Sequence, residues 1–272
     1  MKRYVPGYSP GAISFLERRT AETHAAFVLS RLSPGMRLLD CGCGPGTITL
    51  GLARRVAPGL VVAIDREPSQ VGLIQARARE EDVINVEAVV GDAGALPFPE
   101  SSFDMVFSHA LLEHLPDPVS ALGEMRRVLA PGGMIAVSVP DWGGFLLAPP
   151  DPEVDRAIDY YLAIRRAAGG DPEAGRNLGL RLDEAGFSGV ELSARYECHD
   201  PRTPIVEELA GRIELSPDLD AGAGGWVAGP ASSARMAAAL RRWGDPERRP
   251  VRPVLGLGRG LARGLRASPR TA

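Results

Sequence analysis

The residues best suited to chemistry in this chain stand between positions 40 and 46, where Asp40 is followed by three glycines spaced two apart. Glycine lets the backbone turn sharply and pass close to a ligand, because no Cβ atom stands in the way. An apolar run that includes Leu38 and Leu39 predicts a buried strand before this loop, and an apolar face over 49–56 predicts a helix after it. The free N–H groups of that helix would point back into the turn. The pattern predicts a nucleotide-binding strand, turn and helix.

The glycine spacing narrows the choice of nucleotide. A dinucleotide-binding turn reads G-x-G-x-x-G, but after Gly42 and Gly44 the third glycine would fall at position 47, which is threonine. Pyrophosphate prefers an electropositive helix N-terminus, whereas Asp40 at the strand end favours a ligand with a cationic group. S-adenosylmethionine is such a ligand, with a sulfonium, an ammonium and no phosphate. A structural turn, or a NAD site with a shifted glycine, remains open at this point.

Two further strand ends carry acidic residues. The apolar run 60–64 ends in Asp65, which could accept hydrogen bonds from both hydroxyls of a ribose. A third predicted strand, 86–90, leads into Gly91-Asp92-Ala93. A fourth follows at 103–109 and a fifth at 134–139, with helical patterns between them. This alternation predicts a parallel sheet covered by helices on both faces.

Over residues 35–140 the sequence resembles the class I S-adenosylmethionine-dependent methyltransferases. The glycine loop carries the resemblance together with FDMVFSHALLEHLPDP at 103–118 and RRVLAPGG at 126–133, which are similar to the branch of ubiquinone and menaquinone methyltransferases. The resemblance implies an α/β fold: a doubly wound, mostly parallel, seven-stranded Rossmann-like sheet with an N-terminal helix and helical lid insertions. It also implies S-adenosylmethionine as cofactor and a small-molecule methyl acceptor. The implied cofactor-binding residues are Asp40, Gly42, Cys43, Gly44, Gly46, Asp65, Arg66, Gly91, Asp92, Ala93, Ser108 and His109.

Methyl transfer from a sulfonium is an in-line displacement, so the enzyme mainly aligns the reactants in a dry pocket. A general base is needed only for an acceptor that is protonated at working pH. His109, just past the fourth strand, is the candidate base or orienting group, and packing against the methionine end of the cofactor is an equal alternative. Glu113 and His114 are interpreted as structural. The four histidines show no paired spacing, so no metal site is expected.

Aromatic residues at both ends of the predicted core are candidates for substrate binding. Tyr4 and Tyr8 could close over the cofactor, and Trp142 and Tyr160 belong to an aromatic group after the fifth strand. Substrate sites commonly lie above the carboxyl ends of the strands, where such a lid would select an apolar or aromatic acceptor. Packing of the insertion onto the core is the alternative for these residues.

The composition limits the class of protein. A length of 272 residues with 44% apolar residues suits one core with a lid, and no apolar run reaches the length of a membrane span. Three cysteines without a pairing pattern and no signal-peptide pattern favour the cytoplasm. A net charge of −3 does not favour nucleic-acid binding. The sequence does not fix the oligomeric state, and a homodimer is compatible with it.

We divide the chain into four parts: an N-terminal helical cap over 1–35, a core over 36–200 with a lid insertion around 141–171, a helical part over 201–247, and a basic tail over 248–272. Residues 11–32 are predicted as one helix. The family's antiparallel seventh strand could come only from 251–257, where two prolines allow an edge or irregular strand at most. The glycine-rich tail is otherwise expected to be flexible.

Two other functions are compatible with the same motifs. A protein of this fold could bind S-adenosylmethionine without transferring its methyl group, either to steer a cyclisation or as a regulator. A NAD(P)-dependent oxidoreductase is the third reading, and the threonine at position 47 argues against it.

Overall fold

The computed structural model describes residues 7–8, 10–199, 205–216, 220–221, 226–227, 230–245 and 254–266. Its helices are α1 (Pro10–Glu17), α2 (Ala21–His24), α3 (Ala26–Leu29), α4 (Thr47–Val56), α5 (Pro68–Glu80), α6 (Pro118–Val128), α7 (Pro152–Ala167), α8 (Leu178–Glu184), α9 (Ile205–Glu214) and α10 (Pro230–Gly244), with a 3₁₀ turn at Leu112–His114. Its strands are β1 (Leu38–Cys41), β2 (Val61–Asp65), β3 (Val86–Val90), β4 (Phe103–His109), β5 (Leu129–Ala148), β6 (Phe187–His199), β7 (Asp220–Ala221), β8 (Trp226–Val227) and β9 (Val254–Arg266).

Seven strands form one sheet in the order β3-β2-β1-β4-β5-β9-β6, while β7 and β8 pair with each other. The first five strands in this order, β3, β2, β1, β4 and β5, run parallel to one another. Strand β9 is antiparallel to both of its neighbours, β5 and β6. Successive residues of β1 point to opposite faces, so Leu38 joins the apolar core on one face and Leu39 the core on the other. The predicted fold class is confirmed.

The helices that flank the site begin at clear signals. Proline occupies the first turn of α5, α6 and α7, where its missing N–H costs nothing. The side chain of Asp117 accepts a hydrogen bond from the Ser120 N–H at 2.9 Å, and that of Asp151 accepts one from the Glu153 N–H at 3.0 Å. These caps fix where α6 and α7 start.

The N-terminal region differs from the prediction of one helix over 11–32, since it contains the three short helices α1, α2 and α3. Thr20 is the reason for the first break: its side chain accepts a hydrogen bond from the Thr23 N–H, and the Thr23 side chain in turn accepts one from the Thr20 N–H. This reciprocal cap starts a new helix with a new direction.

The prediction for the C-terminal region is wrong in two respects. Residues 254–266 form a long strand rather than a flexible tail, and this strand lies inside the sheet rather than at its edge. The prolines that argued against it stand before the strand begins. The glycines allow close packing, because a Cβ atom on Gly260 would lie 2.1 Å from the carbonyl oxygen of Gly175. Arg259 and Arg263 pair with Glu197 and Glu191 on β6.

Helices α7, α9 and α10 share an apolar core of their own, separate from the two cores of the sheet. The largest buried side chain in this group is Trp243, whose Nε1 atom donates a hydrogen bond to the Pro149 carbonyl at 3.0 Å. The predicted lid insertion and the predicted helical part over 201–247 therefore pack together, and we call these three helices the helical cap. Residues 141–148, predicted as the start of the lid, instead extend β5.

Candidate active site

A cavity of about 430 Å³ opens at the carboxyl ends of β1, β2, β3 and β4. The chain order reverses at this place, because β1 pairs with β2 on one side and with β4 on the other. Ligands of open α/β sheets bind in the crevice at such a switch point. The volume also lies in the range of sites for small organic ligands.

Ten of the twelve residues predicted to bind the cofactor line this cavity. They are Asp40, Gly42, Cys43, Gly44, Asp65, Arg66, Gly91, Asp92, Ala93 and His109. They come from four separate strand ends, so the parallel sheet is what brings them together.

The other two predicted residues, Gly46 and Ser108, support the wall from behind. Gly46 has a φ of +84°, and a Cβ atom there would lie 2.3 Å from Cγ1 of Ile74 on α5. The Ser108 hydroxyl is completely buried and donates a hydrogen bond to the Cys41 carbonyl at 3.0 Å. These residues keep the loop and the strand ends in place.

The glycine loop is shaped by left-handed backbone conformations at Gly42, Gly44 and Gly46. Its position is fixed from the neighbouring strand, since the Gly44 N–H donates a hydrogen bond to Oδ2 of Asp65 at 3.0 Å. The loop then enters α4, whose N-cap is Gly46. The predicted strand, turn and helix are thus present.

Asp40 is a buried carboxyl group on the cavity wall. Its Oδ2 atom accepts a hydrogen bond from the Thr49 hydroxyl at 2.5 Å. The pKa of Asp40 is raised to about 7, because burial raises it more than the hydrogen bond from Thr49 lowers it, and the nearby Asp65 adds to the increase. A buried acid without a cationic partner is costly to ionise, and a bound cation would remove that cost. The site therefore suits the cationic methionine end of S-adenosylmethionine.

Asp65 and Asp92 end the neighbouring strands. Oδ1 of Asp65 accepts a hydrogen bond from the Glu67 N–H at 3.0 Å, in addition to the bond from the glycine loop. Burial raises the pKa of Asp65. Oδ1 of Asp92 accepts a hydrogen bond from the Gly94 N–H at 2.8 Å, which orders the loop after β3. Both carboxylates are held by backbone N–H groups, so they are oriented before a ligand arrives.

His109 lies on the cavity wall with 6% of its surface exposed. Its Nε2 atom is buried and has no hydrogen-bond partner, and its ring meets the ring of His24 edge-on with centroids 5.2 Å apart. Burial lowers the pKa of His109 well below its usual value, and Arg19 and Arg259 lower it further. The imidazole is therefore neutral, and Nε2 can accept a hydrogen bond in the tautomer that carries its proton on Nδ1.

Three wall residues that sequence reasoning did not assign to the site are Glu113, His114 and Arg165. Glu113 and His114 are interpreted as structural from the sequence, and the 3₁₀ turn after β4 brings both to the cavity wall. Arg165 comes from α7, and nothing in the sequence around it signals a site. Burial raises the pKa of Glu113 and lowers the pKa of His114.

The predicted substrate residues fall into two groups. Tyr8 lines the cavity and its hydroxyl hydrogen-bonds with Arg66, while Tyr4 lies outside the described residues. Trp142 and Tyr160 do not reach the cavity wall. They are buried in the core of the helical cap, where the Tyr160 hydroxyl donates a hydrogen bond to the Ser216 carbonyl at 2.7 Å.

The described residues contain no group of three or more His, Cys, Asp or Glu side chains placed to hold a metal ion. In the same part of the chain, no helix has the length and apolar character needed to cross a membrane. Cys41 and Cys43 are buried, and burial raises the pKa of both thiols. Thiols of this kind are unreactive.

Comparison with known families identifies residues 32–159 as matching a family described as a methyltransferase domain. An uncharacterised methyltransferase of Schizosaccharomyces pombe is 36% identical over 183 residues, which cover 63% of this chain and 65% of that protein. A demethylmenaquinone methyltransferase of Listeria welshimeri is 35% identical over 121 residues, which cover 42% of this chain and 51% of that protein. The chain spans about half to two thirds of the length of the curated relatives it matches.

Solved structures share the fold at lower identity. The YcgJ protein of Bacillus subtilis has a TM-score of 0.63 with 18% identity, over 89% of this chain and 97% of that one. A phosphoethanolamine N-methyltransferase of Haemonchus contortus, solved with S-adenosylmethionine, has a TM-score of 0.56 with 21% identity, over 89% of this chain and 52% of that one. The predicted resemblance to class I methyltransferases is confirmed, and S-adenosylmethionine is the cofactor these comparisons support.

Proposed function

We propose that the chain transfers a methyl group from S-adenosylmethionine to a small-molecule acceptor by in-line displacement. The observation that carries this proposal is the glycine loop with Asp40, Asp65 and Asp92 around one cavity at the switch point of the sheet. Asp40 would face the cationic methionine end, Asp65 the ribose and Asp92 the adenine. The bound cofactor supplies an electrophilic methyl group on sulfur.

The remaining wall residues then orient the acceptor. His109 is neutral and offers an unpartnered Nε2 atom, so it can accept a hydrogen bond from an acceptor hydroxyl or amine. The low pKa makes it a weak base, which suits orientation better than full proton removal. A cavity of about 430 Å³, lined by the strand ends and by Arg165 of α7, supports a small acceptor rather than a macromolecule.

The first test is label transfer. The protein is incubated with methyl-labelled S-adenosylmethionine and a panel of small phenols, amines and carboxylic acids, and product is followed by the label. Transfer to a member of the panel supports the proposal. Binding of the cofactor with no transfer to any acceptor would instead favour a protein that uses the cofactor without turnover, such as a cyclisation catalyst or a regulator.

The second test measures cofactor affinity by calorimetry. Asp65→Ala removes the proposed ribose contact and also leaves the Gly44 N–H without its acceptor. The free energy of cofactor binding should therefore become less favourable by about 1–3 kcal/mol, the scale of hydrogen bonds to a charged group. Asp183→Ala, an exposed position on α8, is the control and should leave affinity unchanged. Equal affinity of Asp65→Ala and the wild type would show that the ribose contact is misassigned.

A further inference from the structure

Arg165 is a cation buried in the cavity wall, and two of its three nitrogen atoms have no hydrogen-bond partner. Only 2% of its surface is exposed, and its Nη1 atom donates to the Tyr161 hydroxyl at 3.1 Å. Its Nε and Nη2 atoms are buried and have no hydrogen-bond partner. Buried guanidinium nitrogens are seldom left unpaired, because the lost hydration is not recovered. The pair of free donors therefore indicates a missing acceptor.

The two nitrogens without a partner, Nε and Nη2, can donate to the same acceptor group. Nε and Nη2 lie along one edge of the planar guanidinium, and that edge matches the two oxygens of a carboxylate. The protein does not fill it: the nearest acidic atom, Oε1 of Glu113, is 4.0 Å from Nη2, beyond hydrogen-bond distance.

The orientation of this edge is fixed by aromatic packing. The guanidinium carbon lies 4.5 Å from the centroid of the Trp142 ring and 5.7 Å from that of Tyr161. The Trp142 ring in turn meets the Tyr161 ring edge-on at 5.4 Å. The flat face of the guanidinium is thus covered, and Trp142 is a positioning residue for Arg165.

The charge of the surroundings agrees with an anionic ligand. Glu113, on the same wall, interacts electrostatically with Arg165, Arg19 and Arg259, and His109 interacts with Arg19 and Arg259. Of the four aspartates of the wall, Asp40, Asp65 and Asp92 lie at the strand ends around the glycine loop, and Asp117 is the N-cap of α6. Arginines thus act on the wall formed by His109 and Glu113, whereas the glycine loop is surrounded by Asp40, Asp65 and Asp92 together with Arg66.

We propose that Arg165 binds a carboxylate group of the methyl acceptor through its Nε and Nη2 atoms, so that the natural acceptor is a small organic acid. This inference rests on the proposed function, because it assigns the acceptor of the same cavity. Arg165 of the helical cap thereby selects the substrate, and Trp142 of β5 acts through Arg165 rather than by touching the substrate.

The test uses the full chain loaded with S-adenosylhomocysteine and two probes of equal shape, benzoate and benzamide. Wild-type protein should bind benzoate roughly tenfold or more tightly than benzamide, as measured by calorimetry. Arg165→Met should abolish this preference without changing the affinity for S-adenosylhomocysteine. Arg165→Lys keeps the charge but loses the planar edge, so its preference should be smaller than that of the wild type. Arg166→Met, at the exposed neighbouring arginine, should keep the full preference.

The outcomes separate this inference from the proposed function. Thermal melting checks that each variant folds. If Arg165→Met does not fold, the comparison of Arg165→Lys with the wild type provides the test. If the wild type binds S-adenosylhomocysteine but does not prefer benzoate, or if both Arg165 variants keep the full preference, the carboxylate site is overturned and the methyltransferase proposal stands. If the wild type does not bind S-adenosylhomocysteine, the proposed function itself fails.

Discussion

The two ends of the cavity are built in different ways. The cofactor end uses short runs of neighbouring residues, 40–46, 65–66 and 91–94, each placed directly at the end of a parallel strand. The end that we propose for the acceptor, called the acceptor end below, is assembled from single residues of unrelated elements, namely Arg19, His109, Glu113 and Arg165. The first end depends on the sheet, and the second depends on how the helical cap and the N-terminal region pack onto it.

The difference in charge follows the same division. Asp40, Asp65 and Asp92 surround the glycine loop, whereas Arg19 and Arg259 act on both His109 and Glu113. If the acceptor is an acid as proposed, one cavity holds a cationic cofactor and an anionic acceptor, and the two charges attract each other. A scaffold of this kind can keep the cofactor end constant while the cap changes the acceptor.

The largest expected effect comes from disturbing the cofactor end at Gly46. A Cβ atom at this position would meet Cγ1 of Ile74 at 2.3 Å and Cβ of Ile74 at 2.8 Å, and the backbone is left-handed. Gly46→Ala should lower the free energy of unfolding by about 2–5 kcal/mol, the sum of overpacking and left-handed strain, and should weaken cofactor binding as the loop moves. Chemical denaturation and calorimetry measure the two effects.

Gly72 provides the matched control, because it lies on the same helix as Ile74, two residues before it. A Cβ atom there would meet nothing within 4 Å. Gly72→Ala should stabilise the protein by about 0.5–1 kcal/mol through helix propensity and leave cofactor affinity unchanged. A Gly46→Ala variant as stable as Gly72→Ala would show that the loop does not need to approach α5 so closely.

The electrostatics of the cofactor end can be tested by pH. Burial raises the pKa of Asp40 to about 7, and a bound cation favours the ionised form, so cofactor binding should release a proton below that pH. Affinity for S-adenosylmethionine should therefore rise roughly tenfold between about pH 6 and about pH 8. Calorimetry in buffers of different ionisation enthalpy would measure both the affinity and the proton release.

The same shift predicts the pH dependence of stability. Because the folded pKa of Asp40 is raised, its contribution to stability is full below the unfolded pKa and is lost as the pH rises through about 7. Asp40→Asn should remove this contribution to the change of the free energy of unfolding with pH. It should also make cofactor affinity less dependent on pH. Comparing the variant with the wild type cancels the other titrating groups. If the affinity of the wild type for S-adenosylmethionine is constant between about pH 6 and about pH 8, the placement of a cation next to Asp40 is contradicted.

The glycine loop and the acids at the strand ends could be located from the sequence because each of these features is local. A strand, a glycine turn and an acid at the strand end are read within ten residues, and the parallel sheet then brings the strand ends together. The position of Arg165 in the cavity wall could not be predicted, since it depends on the packing of α7 against the turn after β4. β9 was misread for a similar reason: its glycines suggest a loose chain unless the close approach to Gly175 is known.

The smallest expected effect tests whether the helical cap can be perturbed without the cofactor end. Tyr160 was predicted to bind substrate, but it is fully buried in the cap and donates its hydroxyl hydrogen bond to Ser216. Tyr160→Phe removes one buried hydrogen bond and little volume, so the free energy of unfolding should fall by about 0.5–1.5 kcal/mol. Cofactor affinity should not change, because the ring keeps packing and the cavity wall does not include this residue. A tenfold loss of cofactor affinity in this variant would mean that the cap and the glycine loop are coupled, and the division between the two ends would no longer hold.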